Sequence, residues 1–176
     1  MRIFLLDITR GICVLAMIAY HFCWDLGYFG FIDLRSVTQG LGLLIAQLIG
    51  LSFITIAGIS SRLLALSDSF KKKFLKRLFK LVFISLVIST ATFMLNKHSF
   101  IFFGILHFLS VCSIISLLLI KIQNNVYLML IFFSSAIISA SGITFNLPFM
   151  LSWIGFNKEI PLTNDFYPLF PWITFY

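Results

Sequence analysis

The sequence predicts an all-α fold, a polytopic bundle of transmembrane helices that forms a single domain over residues 1–176. Of the 176 residues, 60% are hydrophobic and only 11% are charged, and the mean hydropathy is +1.06. A soluble domain has about a quarter of its residues charged. Several apolar runs also exceed the roughly 18 residues that are typical of a membrane-spanning helix. Composition and run length therefore exclude a soluble globular domain.

The apolar runs predict five complete membrane spans and the beginning of a sixth. A hydrocarbon core about 30 Å thick needs roughly 20 helical residues, and each predicted span is near that length. The complete spans cover residues 8–28, 41–64, 78–95, 101–120 and 126–143, and the partial sixth covers residues 167–176.

Lysine and arginine residues are concentrated around the second connection, which predicts the orientation. The first, third and fifth connections carry one basic residue each. The cytoplasmic side of a membrane protein is the basic one, so the second connection, the N-terminus and Lys121 are expected in the cytoplasm of an inner-membrane protein. His98 and residues 144–166 then face outward. The basic residues around the second connection are Arg62, Lys71, Lys72, Lys73, Lys76, Arg77 and Lys80.

The net charge of +7 does not indicate a nucleic-acid partner, because the basic residues are concentrated in one connection. Topology and attraction to anionic lipids of the bilayer explain this cluster. The alternative interpretation is that the cluster is a binding site for a phosphorylated cytoplasmic substrate. Cys13, Cys23 and Cys112 lie in apolar segments and are odd in number, so they predict neither a disulfide framework nor a metal site.

Four ionisable side chains lie along one face of the first predicted span. Arg10 and His21 are eleven residues apart, which is about three helical turns plus 20°. Asp7 precedes Arg10 by three residues and Asp25 follows His21 by four, so all four form one stripe. A charged residue at the bilayer centre costs about 2.5 to 3.5 kcal/mol. Such residues persist when they face the protein interior, pair with each other or line a watery cavity.

Two interpretations of this stripe remain open from the residues alone. In the structural one, Asp7 and Arg10 pair at the cytoplasmic boundary and His21 hydrogen bonds to a neighbouring helix. In the catalytic one, His21 is a base that titrates near neutral pH, and Asp25 fixes its tautomer. His107 lies about one and a half turns from the outer end of the fourth span and would open to the same outer cavity.

Small residues near the end of the second span have two interpretations as well. Gly58 and Ser60 stand in FITIAGIS, where small side chains allow helices to approach closely. They equally leave room for a ligand.

Four motifs, LDITRGICVLAMIAYHFCWDL, FITIAGIS, FGILHFLS and YPLFPW, follow one another in this order. Over essentially its whole length, the chain thereby resembles the bacterial membrane proteins related to the heparan-alpha-glucosaminide N-acetyltransferase catalytic domain. The spacing of Arg10 and His21 is also similar to the first span of the wider membrane acyltransferases that modify bacterial polysaccharides. The eukaryotic lysosomal enzyme has asparagine where His21 stands, and its proposed active histidine corresponds to a position near Ile32. The lysosomal substrate is therefore not implied.

The resemblance implies an acetyl-CoA-dependent acyltransferase without a metal, which acts on an amine or hydroxyl of a sugar or cell-envelope glycan. In such an enzyme His21 would be the general base or would carry the acyl group. Asp25 would orient His21, and His107 would assist or bind the acceptor. The residues expected to bind substrate are Asp7, Arg10, Ser60 and Trp172.

Two other classes of function compete with the acyltransferase. One is a non-enzymatic membrane subunit or a transporter-like protein, although transporters are usually built from pseudo-repeats and this chain has none. The other is an inactive, truncated homologue, because relatives usually continue beyond the sixth span. A chain of this length could also complete its fold with a partner or a second copy, which leaves a homo-oligomer open.

Overall fold

The computed structural model describes residues 4–67, 69–119 and 125–176. Within these ranges no residue lies in a strand of a sheet, and two isolated β-bridges are the extended pairings found. The predicted all-α class is confirmed. Lys121, which the sequence places in the cytoplasm, lies outside the described residues. The helices are α1 (Phe4–Tyr28), α2 (Leu34–Thr38), α3 (Gly40–Ala65), α4 (Phe70–Leu95), α5 (Ile105–Leu119), α6 (Asn125–Ala140) and α7 (Leu169–Trp172), with 3₁₀ turns at Phe149–Ile154 and Ile173–Phe175.

Three of these helices are long and apolar enough to cross a membrane. Helices α1, α3 and α4 have 25, 26 and 26 residues. Helices α5 and α6 have 15 and 16 residues, which is about 22 to 24 Å at 1.5 Å per residue. These described lengths are shorter than a hydrocarbon core about 30 Å thick. The described residues support three long spans and a shorter apolar helix, and the predicted count of five complete spans is not supported.

The predicted sixth span is not supported either. Helix α7 has four residues, Phe170 inside it is extended at φ −97° and ψ 132°, and a three-residue 3₁₀ turn follows. Pro168 and Pro171 explain this difference, because proline lacks an amide hydrogen and pushes the residue before it out of the helical region.

Helix α4 begins at Phe70, eight residues before the predicted span. The basic segment of the second connection is therefore helical. Lysine, leucine and arginine all favour helix, and Phe74 anchors this part of α4 with only 6% of its surface exposed.

The chain forms two compact units, Met1–Ala57 and Gly58–Tyr176. In the first unit α1 ends in a turn at Gly30, which has φ +80°, and α2 packs back on α1. Gly27 permits this contact, because a Cβ there would lie 2.9 Å from Leu34 Cδ1. The Tyr20 hydroxyl donates to the Val37 carbonyl at 3.2 Å.

In the second unit α4 packs along α5. Phe108 and Cys112 of α5 are fully buried there. The segment that precedes α7 runs beside the segment that precedes α5. The Asn164 amide donates to the Ser99 carbonyl at 3.3 Å and the Tyr167 amide to the Phe103 carbonyl at 3.1 Å. These bonds hold the 163–167 segment at the start of α5.

Candidate active site

The ionisable stripe lies on one uninterrupted helix, α1. Arg10 Nη1 donates to Asp7 Oδ1 at 2.9 Å, and the two side chains are 45% and 51% exposed. The predicted pairing of Asp7 with Arg10 is therefore present. About half of each side chain is thus exposed.

His21 and Asp25 form the C-terminal half of this stripe, and both side chains are exposed. The ring of Tyr20 meets the ring of His21 edge-on, with centroids 6.0 Å apart. Among the residues that the structure describes, no hydrogen bond joins His21 to Asp25 or engages either ring nitrogen of His21. The ring nitrogens of His21 are therefore accessible to a ligand.

His107, the second predicted catalytic histidine, has both ring nitrogens engaged. Its Nδ1 accepts from the Gly104 amide at 3.3 Å, and its Nε2 lies 3.0 Å from Ser89 Oγ on α4. Ser89 Oγ donates its own proton to the Ile101 carbonyl at 2.7 Å. Ser89 must therefore accept from His107, which assigns the neutral tautomer with the proton on Nε2.

This tautomer satisfies every polar atom in the group. A proton added to His107 Nδ1 would displace the Gly104 amide, and loss of the Nε2 proton would break the bond to Ser89. The geometry favours a structural role, in which His107 ties α5 to α4 and to the turn between them. The catalytic role expected for His107 stays a prediction.

Asp165 caps the helix that carries His107. Its Oδ2 accepts from the Ile105 amide at 3.0 Å, and Ile105 is the first residue of α5. A carboxylate at this position satisfies one free amide and interacts favourably with the helix dipole. Beside it, Phe103 packs between His107 at 5.8 Å and Trp153 at 5.4 Å, measured between ring centroids. The start of α5 thus combines a polar cluster with packed aromatic rings.

A second polar cluster joins α3, α4, α5 and the last described residue. Ser61 Oγ lies 2.5 Å from Tyr176 Oη and accepts from Arg77 Nη1 at 3.0 Å. Ser113 Oγ is 3.3 Å from the same tyrosine oxygen. Gly58 makes room for this contact, because a Cβ there would clash with the Tyr176 carbonyl oxygen. The close approach predicted at Gly58 is thus to the backbone of Tyr176.

The predicted site residues fall into the two units. The first unit holds the α1 stripe, and the second holds Ser60, His107 and Trp172. Ser60 is partly exposed and adjoins the buried Ser61. The Trp172 ring packs on Tyr167 at 5.0 Å. The shared cavity expected for His21 and His107 stays a prediction.

Sequence reasoning missed Ser89, Asp165 and the hydroxyl cluster. Ser89 follows Ser85 by four residues on α4, and this spacing could have drawn attention to a polar face of the fourth helix. Asp165 and Ile105 are 60 residues apart, and Ser61 and Tyr176 are 115 apart. No local pattern could have paired them.

Comparison with known proteins gives one match that spans the chain. The model of the family described as heparan-alpha-glucosaminide N-acetyltransferase, catalytic, matches residues 2–176. No curated protein and no solved structure matches the chain. With long apolar helices, a polar stripe on the first of them and a family match over essentially its full length, the chain belongs to the family of the heparan-alpha-glucosaminide N-acetyltransferase catalytic domain.

Proposed function

We propose that this protein is a membrane acyltransferase that moves an acetyl group from acetyl-CoA to an amine or hydroxyl of a sugar or cell-envelope glycan. The family match over residues 2–176 carries the proposal. The ionisable stripe of α1 supports it, because a lipid-facing anchor helix has no need of four such side chains.

His21 is the general base of the proposed reaction. It takes a proton from the acceptor amine or hydroxyl, and the acceptor atom attacks the carbonyl carbon of the thioester. The carbon–sulfur bond then breaks, and the CoA thiolate takes up a proton from the imidazolium. An acyl-His21 intermediate, in which the histidine attacks first, uses the same residue and remains the alternative.

Asp25 stabilises the imidazolium that forms on His21. Residues four apart on a helix have Cβ atoms about 5 to 6 Å apart, so a rotamer change brings the carboxylate to the ring. A carboxylate placed there favours the positively charged form of the ring.

Arg10 is the proposed phosphate-binding residue, and Asp7 holds its guanidinium in place. Arg10 and His21 share one face of α1, separated by about 16 Å along the axis. Acetyl-CoA carries its pyrophosphate and its thioester at opposite ends of a long pantetheine arm, so one donor molecule can meet both residues. Ser60 and Trp172, on the second unit, are the further proposed substrate-binding residues.

The proposed arrangement has acetyl-CoA entering from the cytoplasm and the acceptor from outside an inner membrane. Asp7 and Arg10 lie near the start of α1, on the side where the basic connection is expected. His21 and Asp25 lie toward its other end. The chemistry is thus placed where a cytoplasmic donor and an external acceptor would meet, either in one chain or in a homo-oligomer.

The test is acetyl transfer by the purified protein in detergent, with labelled acetyl-CoA and amino-sugar or glycan acceptors. His21→Ala should lower the rate by about a hundred- to ten-thousandfold, which is typical of losing a positioned general base. Acetyl-CoA affinity should be nearly unchanged, and Asp25→Asn should give an intermediate rate. His98→Ala removes another exposed histidine and should be silent.

Two outcomes would contradict the proposal. Transfer by His21→Ala at the wild-type rate would leave His21 a packing residue. A wild-type protein that neither binds acetyl-CoA nor transfers acetyl would favour the non-enzymatic class of membrane protein.

A further inference from the structure

The first four turns of α4 carry two adjacent exposed stripes. Lys72, Lys76 and Lys80 are exposed and follow one another at intervals of four residues. A second stripe starts three residues after the first lysine, which is about 60° around the helix. Its members are Leu75, Phe79 and Phe83, at 62%, 72% and 58% exposure. The rings of Phe79 and Phe83 stack at 6.2 Å.

Both stripes lie on the side of α4 that the described residues leave uncovered. The buried Phe74 follows Lys72 by two residues, about 200° around the helix, and so marks the opposite face. Lys73 does not belong to the stripe, because its Nζ donates to Ser67 Oγ at 3.2 Å. The lysine stripe and the apolar stripe therefore lie side by side on the exposed surface of α4.

The length of α4 places these stripes at the membrane boundary. Its 26 residues span about 39 Å, whereas the hydrocarbon core is about 30 Å thick. Counted back from Leu95, the roughly 20 residues that cross the core end at Lys76. Lys72 then lies among the headgroups. Lys80 lies about 6 Å inside the core and can extend its ammonium outward.

We propose that Lys72, Lys76 and Lys80 bind the phosphate groups of anionic phospholipids, while Leu75, Phe79 and Phe83 contact their acyl chains. Three ammonium groups on one stripe give the positive charge that an anionic headgroup needs. The adjoining apolar stripe selects a lipid over a soluble phosphate, which has no acyl chain to place there. This surface is separate from the acyl-transfer chemistry proposed for α1.

The test compares binding of phosphatidylglycerol and phosphatidylcholine to the purified protein in detergent, with fluorescent lipids. The wild type should prefer phosphatidylglycerol. The combined variant Lys72→Gln/Lys76→Gln/Lys80→Gln should lose about fivefold in affinity for each lysine, or on the order of a hundredfold in total. Lys71→Gln/Lys97→Gln/Lys158→Gln removes the same charge from exposed lysines elsewhere and should retain the preference.

Every other outcome of this test either supports or refutes the proposed lipid site. Equal affinity for phosphatidylglycerol in the wild type and the stripe variant would overturn the proposal, as would a wild type with no preference. Loss of acetyl-CoA binding by the stripe variant with lipid binding intact would also overturn it and assign the lysines to a nucleotide phosphate. If the triple variant fails to fold, Lys76→Gln alone should weaken binding about fivefold. An unchanged affinity in that single variant would equally refute the site.

Discussion

At the scale of single residues, two histidines in apolar helices have different surroundings. His107 has a partner at each ring nitrogen, Gly104 and Ser89. His21 is exposed, and no hydrogen bond to its ring is found in the part of the chain that the structure describes. A histidine whose nitrogens are both engaged gives up a hydrogen bond for any change of protonation, whereas an open one does not. For this reason the proposed reaction uses His21, rather than His107, as its base.

Removal of the Ser89 hydroxyl should destabilise the second unit. Ser89→Ala leaves the Nε2 proton of His107 and the Ile101 carbonyl without their partner. We expect this to lower the free energy of unfolding by about 1 kcal/mol. Thermal unfolding in detergent measures the effect. Thr90→Ala is the matched control, because Thr90 is exposed and bonds to Leu86 of its own helix. Equal melting temperatures for the two variants would contradict the role assigned to His107.

Replacement of Arg10 by lysine separates pairing from phosphate binding. Lysine keeps the charge opposite Asp7 but lacks the planar guanidinium, which binds a phosphate through two hydrogen bonds. We expect acetyl-CoA affinity to fall about tenfold, the equivalent of one charge-assisted hydrogen bond. Equilibrium binding of acetyl-CoA measures this, and Arg35→Lys, another exposed arginine, is the control. Equal affinities would remove Arg10 from the donor site.

At the scale of elements, the start of α5 depends on a residue that is remote in the sequence. Asp165 accepts from the Ile105 amide, and the neighbouring backbone bonds hold its segment against residues 99–103. Gly155 allows the chain to reach α7. Its φ is +104°, and a Cβ there would clash with the Phe170 carbonyl oxygen. The segment before α7 is therefore a folded part of the second unit.

Loss of the Asp165 carboxylate should loosen the first turn of α5. Asp165→Ala should lower the free energy of unfolding by about 0.5 to 2 kcal/mol, as removal of a helix cap typically does. Asp165→Asn keeps a capping oxygen and should cost less. Amide hydrogen exchange at residues 105–108 should be faster in the alanine variant. If exchange there matched the wild type, the cap would have no part in holding the helix.

At the scale of the whole molecule, the asymmetry of basic residues predicts an orientation that can be measured directly. A cysteine at Asn157 should react with an impermeant reagent added outside intact cells, and a cysteine at Lys73 should react only after permeabilisation. The background variant replaces Cys13, Cys23 and Cys112, which are free thiols. Labelling of position 73 but not of position 157 in intact cells would reverse the orientation.

The sequence by itself determined the all-α membrane class and the stripe on α1. Hydropathy and helical period are local properties, and Asp7 and Arg10 need only one shared helix to pair across three residues. The same local signal predicts five complete spans and a partial sixth, whereas the described residues support three long spans and a shorter apolar helix. It counts apolar residues, whereas Pro168 and Pro171 act on the backbone and stop a helix that composition alone would continue.

Only the tertiary structure decided what the polar residues of the second unit do. Ser89 meets His107 across two helices, Asp165 reaches Ile105 over 60 residues, and Tyr176 reaches Ser61 over 115. Each pair depends on how remote segments pack, and no repeat or spacing encodes that. The two histidines look alike in the sequence, as single imidazoles in apolar runs. Packing leaves the imidazole of His21 open, and it gives His107 a partner at each nitrogen because α4 and the turn before α5 lie against it.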